Sequence, residues 1–250
     1  LGTAVLVLPW HNPVLLAEQI ATLDLLSEGR VDVGIGKGYR LSEFDGFCVS
    51  IEEADERFEE CLNVMTKSWT SDSPWSHKGT YWQYNDVIVE PTSSQLPHPP
   101  IWMGAGSPRS IKQVASNGFN MLLGQFDSIE QISEEIALYK DEVENLGRVF
   151  DPKSVAVARS INILDSKKEY EEAITNRMAA RRRTQELARR SGFEDTEEAA
   201  AAGTLYGPPE EIAAKLQVLK DVGVEYILVN SPGGIKTLQR FANEVMPDFK

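Results

Sequence analysis

The sequence predicts an α/β fold built on parallel strands. Short apolar segments alternate with helical stretches of about 10–20 residues, the rhythm of βαβ units. Those segments, such as VDVGI at 31–35, are continuous apolar runs, as expected of strands buried on both faces. A chain of 250 residues with 42% hydrophobic and 25% charged residues has enough material for one large core. Residues 1–250 are accordingly read as one domain.

Leu1–Leu8 (LGTAVLVL) reads as a strand stopped by Pro9. Pro13 opens a helix whose apolar residues keep helical spacing up to Gly29. Val31–Ile35 is the next strand, followed by the turn Gly36-Lys37-Gly38 and a long polar loop. Ser50, with Glu53 three residues on, predicts an N-cap for a helix from Ile51 to about Trp69. Aromatic and β-branched residues flank Asn85-Asp86 over 75–90, the pattern of an inserted hairpin turning at that dipeptide. Alternation resumes with a strand Ile101–Met103, the turn Gly104–Ser107, a helix from Pro108 ended by Gly118, and a strand Phe119–Leu123. A helix over 128–146, a strand Val155–Leu164 and a long charged helix over 166–192 follow. The last elements are a helix over 208–222, a strand Val224–Val229 and a helix over 235–245. The segment 171–204 reads as a helical, mobile insertion. Six βα units suit an open doubly wound sheet, whereas a closed barrel needs eight, and the pattern alone leaves both open.

Lys and Arg number 25 against 38 Asp and Glu, a net charge of −13, which argues against nucleic acid or an anionic membrane surface as partner. Apolar runs fall far short of a bilayer span. No signal or transit peptide is legible at Leu1. Two cysteines, Cys48 and Cys61, make no disulfide framework or metal spacing, so buried thiols in a reducing cytoplasm are expected. The three histidines lie in different loops and no metal site is predicted. Hydrolase, Walker and zinc-protease motifs are absent.

In either α/β architecture ligands gather at the carboxyl ends of strands. Gly104–Ser110 is the most informative such end. Its glycines allow close backbone approach, and Ser107 and Ser110 stand at a helix N-terminus suited to an anion, or simply cap that helix. Lys37 supplies a cation at another strand end, or is a solvated turn lysine. His11 is the one histidine at a strand end, a general base, a substrate hydrogen-bonder or an inert loop residue. Trp10, Tyr39, Phe44 and Phe126 are candidates to line a pocket. Arg177, Arg181, Arg182, Arg183, Arg189 and Arg190 read as a solvated helix face followed by a flexible acidic, alanine-rich piece, or as a lid over the strand ends.

The segments LGTAVLVLPWHNPVLLAEQIATLDLLSEGRVDVGIGKGYR, PPIWMGAGSPRSIKQVASNG, GPPEEIAAKLQVLKDVGVEYILV and FANEVMP together resemble the luciferase-like monooxygenase family. The resemblance implies a (β/α)8 TIM barrel with insertions, of which Leu1 would stand at about the third strand, the first two βα units being missing. It implies reduced FMN, or alternatively the deazaflavin F420, at the strand ends. In the FMN branch a small organic substrate is oxidised with O2, the flavin arriving from a separate reductase. The F420 branch transfers hydride, and a non-catalytic flavin-binding protein is the rival outside enzymes. By the same resemblance the flavin phosphate lies against Lys37, the backbone near Tyr39, and Gly106, Ser107 and Ser110. Relatives usually carry arginine at the Lys37 position, so lysine gives a point contact in place of a fork. The resemblance also implies a non-proline cis peptide at Ala4-Val5 beneath the ring, with Gly104 leaving room for it. His11 neighbours Asn12, the position where many relatives have histidine. Family members tend to dimerise, which implies a homodimer.

Overall fold

The computed structural model describes residues 1–188 and 194–249 and resolves the chain into two units, one built on Leu1–Gly104 and one on the residues from Ala105. The first contains β1 (Leu6–Val7), α1 (Pro13–Leu26), β2 (Val33–Gly36), α2 (Leu41–Gly46), α3 (Ala54–Thr70), β3 (Trp75–Lys78), β4 (Gln83–Val87) and β5 (Ile101–Ala105). β2 pairs in parallel with β1, Leu6 opposite Ile35, and with β5, Val33 opposite Ile101. Every residue of β2 is buried, which is why it reads as an unbroken apolar run.

The strand expected over Leu1–Leu8 is cut to Leu6–Val7 plus a bridge from Gly2 to Asp32. Between them a side chain takes over from the backbone ladder. Thr3 Oγ1 donates to the Gly34 carbonyl at 2.8 Å and accepts the Gly34 N–H at 2.9 Å. The approach is so close that a Cβ on Gly34 would lie 1.8 Å from the Thr3 carbonyl oxygen, and one on Gly36 2.8 Å from Val5 Cγ2. At Gly34 the neighbour is backbone, so only glycine fits there.

Helix α1 starts at Pro13, with Asn12 Oδ1 accepting the Leu15 N–H. It packs on α3, where Trp69 Nε1 donates to the Ala17 carbonyl at 3.0 Å. Its fully buried Asp24 accepts from both the backbone N–H and the side-chain amide of Gln95, tying down the proline-rich stretch. The expected long loop contains α2, whose six residues are too few to show a helical period, and it is anchored by the fully buried Phe44. The helix expected from Ile51 begins as a 3-10 turn, Ile51–Glu53, before α3. Cys61 is buried, its thiol pushed up to about 12 by burial, but Cys48 is exposed, contrary to expectation.

The hairpin of β3 and β4 is present, but it turns at 79–82, and Asn85 and Asp86 lie within β4. Glu60 decides this. Its carboxylate accepts the N–H groups of Thr80, Tyr81 and Trp82 at 2.9–3.3 Å and contacts His77 Nε2 at 3.1 Å. Burial pushes the Glu60 carboxyl up, but the N–H donors of Trp82 and Tyr81, with His77, outweigh it and hold it below the ordinary range.

The second unit comprises α4 (Pro108–Asn117), β6 (Asn120–Leu123), α5 (Ile129–Asn145), β7 (Val155–Ile163), α6 (Lys167–Ala188), α7 (Glu197–Ala202), β8 (Thr204–Gly207), α8 (Pro209–Asp221), β9 (Tyr226–Asn230) and α9 (Gly234–Glu244). β7 is its axis. It pairs in parallel with β6 from Met121–Val155, with β9 from Tyr226–Ala156, and with β8 from Thr204–Ser160. Gly118 closes α4 at φ 71°, and Ser128 with Gln131 forms the box that opens α5. Two elements depart from expectation. The piece read as a flexible loop forms α7, capped by Thr196 Oγ1 and packed through Ala200 against Leu164, Ile174 and Tyr206. β8 was not foreseen because it is only four residues long, directly after an alanine run, although all four are buried.

The arginine-rich stretch is not a uniformly solvated face either. Arg177 and Arg181 are buried, whereas Arg182 and Arg183 are exposed, and Arg189 and Arg190 lie outside the described residues. On β7, Arg159 is 1% exposed and donates to the carbonyls of Gly124, Ala158 and Asp127. Near it, Glu135 on α5 has a carboxylate oxygen buried without a hydrogen-bond partner. Burial, then the charge of Asp127, raise the Glu135 carboxyl to about 7, with Arg159 opposing.

Two predictions follow from these polar anchors. Glu60→Gln removes the charge that gathers three N–H donors and should lower stability by about 1–3 kcal/mol at pH 7, read by urea unfolding. Because the Glu60 carboxyl is depressed in the fold, the deficit should shrink as pH falls through its folded pKa. Glu135 has the opposite sign. Its folded form keeps a proton up to about pH 7 while the unfolded form loses it near 4.5, so stability should decline between those values as pH rises. Glu135→Gln should therefore be more stable than the parent at pH 8, by on the order of 1–3 kcal/mol; an unchanged pH–stability curve would sink that assignment.

Candidate functional site

The residues singled out in the sequence fall on strand ends in both units. In the first unit the Ala4–Val5 peptide is cis, the non-proline cis bond implied by the resemblance. It sits in the segment held by Thr3 against β2. Gly36, expected in a turn, is the last residue of β2, and Thr3 and Gly34 carry no motif of their own; glycine at alternate positions 34 and 36 inside a strand is the signal that points to them.

Beyond β2, Lys37 is not a free cation. Its Nζ lies 2.9 Å from Asp55 Oδ1 and 5.4 Å from the centre of the Phe58 ring. Tyr39 is exposed, with the Arg40 guanidinium over its ring. Trp10 stacks on Phe47 and meets Phe44 edge-on. Phe44 itself is wholly buried, so it packs α2 and cannot line a pocket. His11 follows the 3-10 turn Leu8–Trp10, its N–H donating to the Leu8 carbonyl. Burial lowers its imidazole from the ordinary value, which favours the neutral ring at pH 7. Neighbouring Asn12 caps α1 and also accepts from the Tyr84 hydroxyl at 3.1 Å. At the end of β5, a Cβ on Gly104 would meet only the Ile35 carbonyl at 3.7 Å, leaving open space beside the strand.

The second unit begins with the Gly106–Ser110 turn. Ser107 and Ser110 cap α4 reciprocally: Ser107 Oγ accepts the Ser110 N–H at 3.3 Å, and Ser110 Oγ accepts the N–H groups of Ser107 at 3.1 Å and Gly106 at 3.3 Å. The two hydroxyls are 2.9 Å apart. No atom lies within 4 Å of where a Gly106 Cβ would stand. The first turn of α4 carries no acidic residue, so the helix sets no negative charge of its own against its positive end. Two hydroxyls, open space and a helix N-terminus suit a phosphate, and these residues fit the phosphate end of a flavin on chemistry alone. Phe126, the other aromatic candidate, lies under Arg177 and Arg181.

Among the described residues, no three His, Cys, Asp or Glu side chains gather to hold a metal, and no helix is long and apolar enough to cross a membrane.

Comparison with known proteins gives this geometry its context. The chain is 30% identical over 191 residues to the uncharacterized protein y4vJ of Sinorhizobium fredii, covering 76% of this chain and 54% of that protein, so it spans about half of that relative's length. It is 26% identical to the oxygenase component of the flavin-dependent trigonelline monooxygenase of Acinetobacter baylyi, over 100% of this chain and 76% of that one. It is 24% identical to the F420-dependent glucose-6-phosphate dehydrogenase of Amycolatopsis mediterranei, over 100% and 79%. Among solved structures, the monooxygenase RslO1 from Streptomyces bottropensis matches all of this chain and 78% of its own with a TM-score of 0.84 at 22% identity, a likeness of fold. The profile of the luciferase-like monooxygenases matches residues 1–226, and the chain belongs to that family.

Proposed function

We propose that this chain is the oxygenase of a flavin-dependent monooxygenase, one that uses reduced FMN from a separate reductase and O2 to oxidise a small organic substrate. The observation that carries the reading is the open serine turn at the start of α4, where the Ser107 hydroxyl, and that of Ser110 once turned from the Ser107 carbonyl it now donates to at 2.9 Å, stand beside a Gly106 that nothing fills. These residues take the phosphate on this reading. The cis segment Ala4–Val5 and the bare Gly104 serve the ring. Tyr39 contributes backbone. Lys37 contributes charge only after exchanging Asp55 for the phosphate.

Reduced FMN, when bound, supplies the electrons for oxygen chemistry; the protein binds it, orients it and keeps water out. His11 enters as a neutral imidazole, able to accept a proton or a hydrogen bond from the substrate. The F420-dependent relative supports a second reading, hydride transfer without oxygen at the same residues.

Two measurements test this. FMN titration followed by flavin fluorescence should show saturable binding, weakened about 10-fold or more by the double change Ser107→Ala, Ser110→Ala, since hydrogen bonds to a charged group are worth about 1.5–3 kcal/mol. Lys37→Ala should act more weakly, because Asp55 competes for that cation; equal affinity in all three proteins would remove the phosphate assignment. With reduced FMN and O2, oxidised substrate should form in proportion to the protein added and not in the protein-free control, where the flavin only autoxidises to peroxide. Turnover with reduced F420 under strict anaerobiosis, and none with FMN, would favour the second reading.

A further inference from the structure

We propose that Glu135 and Arg159 form a proton-controlled latch on the loop Gln125–Asp127, which leaves the carboxyl end of β6. With Glu135 neutral, Arg159 holds the loop by its carbonyls; with Glu135 ionised, the guanidinium turns to the carboxylate and the loop loosens. The latch needs no flavin and goes beyond the reading above without resting on it.

Arg159 stands at the centre of β7 and is 1% exposed. Its Nη1 donates to the Gly124 carbonyl and its Nη2 to the Asp127 carbonyl, both at 3.0 Å. Those two carbonyls bracket Gln125 and Phe126, so one side chain closes both ends of the loop. A third bond, from Nη1 to the Ala158 carbonyl at 2.9 Å, stays within its own strand. All three acceptors are neutral, although the charge they serve is buried. The loop is also met by α6, where Arg177 donates to the side-chain and backbone oxygens of Gln125 and lies with Arg181 over the Phe126 ring.

Glu135, in the second turn of α5, keeps one carboxylate oxygen buried with no donor. An ionised carboxylate left in that state is costly, a neutral carboxyl much less so. The geometry therefore suits the neutral form for as long as Arg159 is committed to the loop. When the proton leaves to solvent, Arg159 is the cation that acts on the new charge, and a guanidinium–carboxylate hydrogen bond is roughly twice as strong as one to a neutral carbonyl. The surrounding charges set where this happens. Asp127 from the loop and Glu134 from α5 itself oppose ionisation of Glu135, and Arg159 from β7 favours it. Arg159 in turn feels Asp127, Glu135 and, from α6, Arg177. Helix α4 also packs on α5, but its Lys112 is bound to Glu142, two turns beyond Glu135, and its Arg109 is exposed in the first turn. Burial first and Asp127 second bring the Glu135 carboxyl to about 7, so the latch works across neutral pH.

The test is amide hydrogen exchange over residues 124–128 of the full chain, read residue by residue by NMR at pH 6 and pH 8 and corrected for the intrinsic effect of pH, with 121–123 of β6 as the internal standard. Protection of the loop relative to the strand should fall about 10-fold from pH 6 to pH 8, the size expected for losing one or two hydrogen bonds. In Glu135→Gln the loop should keep its pH 6 protection at pH 8. Asp127→Asn serves as a second variant should Glu135→Gln not fold: it withdraws the charge that opposes ionisation, so the loosening should occur at lower pH. Equal protection of the parent loop at both pH values would overturn the proposal. So would a pH-dependent loss that persists in Glu135→Gln, or a midpoint that Asp127→Asn leaves unmoved.

Discussion

Parallel pairing is the constraint from which the organisation of each unit follows. β2 has parallel partners in β1 and β5, and β7 has them in β6, β8 and β9. Parallel neighbours cannot be joined by a tight turn, so each connection runs through a helix that covers the sheet. The strands themselves are left with apolar residues, and polar chemistry is displaced to their ends. Lys37, Ser107 and Gln125 all stand just beyond a strand for this reason. The one antiparallel pair among the described residues, β3 with β4, has no such cover and is held by a carboxylate instead, that of Glu60.

What was legible in the sequence follows from the same constraint. Buried strands such as β2 and β6 and helices such as α4 announce themselves, because a continuous apolar run, or a proline at a helix start and a glycine at its end, is a local signal. Features set by distant partners do not. The hairpin turn was misplaced because Asn85-Asp86 is a good local turn, whereas the actual turn is chosen by Glu60, some twenty residues away. β1 was read too long because the Thr3 hydroxyl, not the backbone, meets Gly34. The burial of Arg177 could not be foreseen from a helix whose neighbouring Arg182 and Arg183 are exposed; it depends on Phe126, brought there by another strand.

At the candidate site the sequence left two readings of Ser107 and Ser110 open, helix cap and phosphate ligand, and the structure shows why they are hard to separate. The cap is fully formed, each serine serving the other's backbone. Yet a capping hydroxyl is also a donor held at the positive end of a helix, which is the chemistry of an anion site. The difference lies in what surrounds it. A purely structural cap has no need for the empty space beside Gly106, and an acidic residue in the first turn would be stabilising there, but none is present.

The overall charge sharpens the point. A protein of net charge −13 repels anionic ligands at long range, but that field is screened beyond about 8 Å at physiological salt. Capture of a phosphate or a carboxylate therefore depends on donors within contact distance, not on steering. Lys37, partly exposed, is matched by Asp55, as a cation in so acidic a chain is expected to be. Arg177 is matched by the neutral oxygens of Gln125, and the first turn of α4 beside the serine turn carries no acidic residue. At the serine turn the positive end of α4 meets no acidic residue of its own first turn, and that is where a phosphate would find its donors.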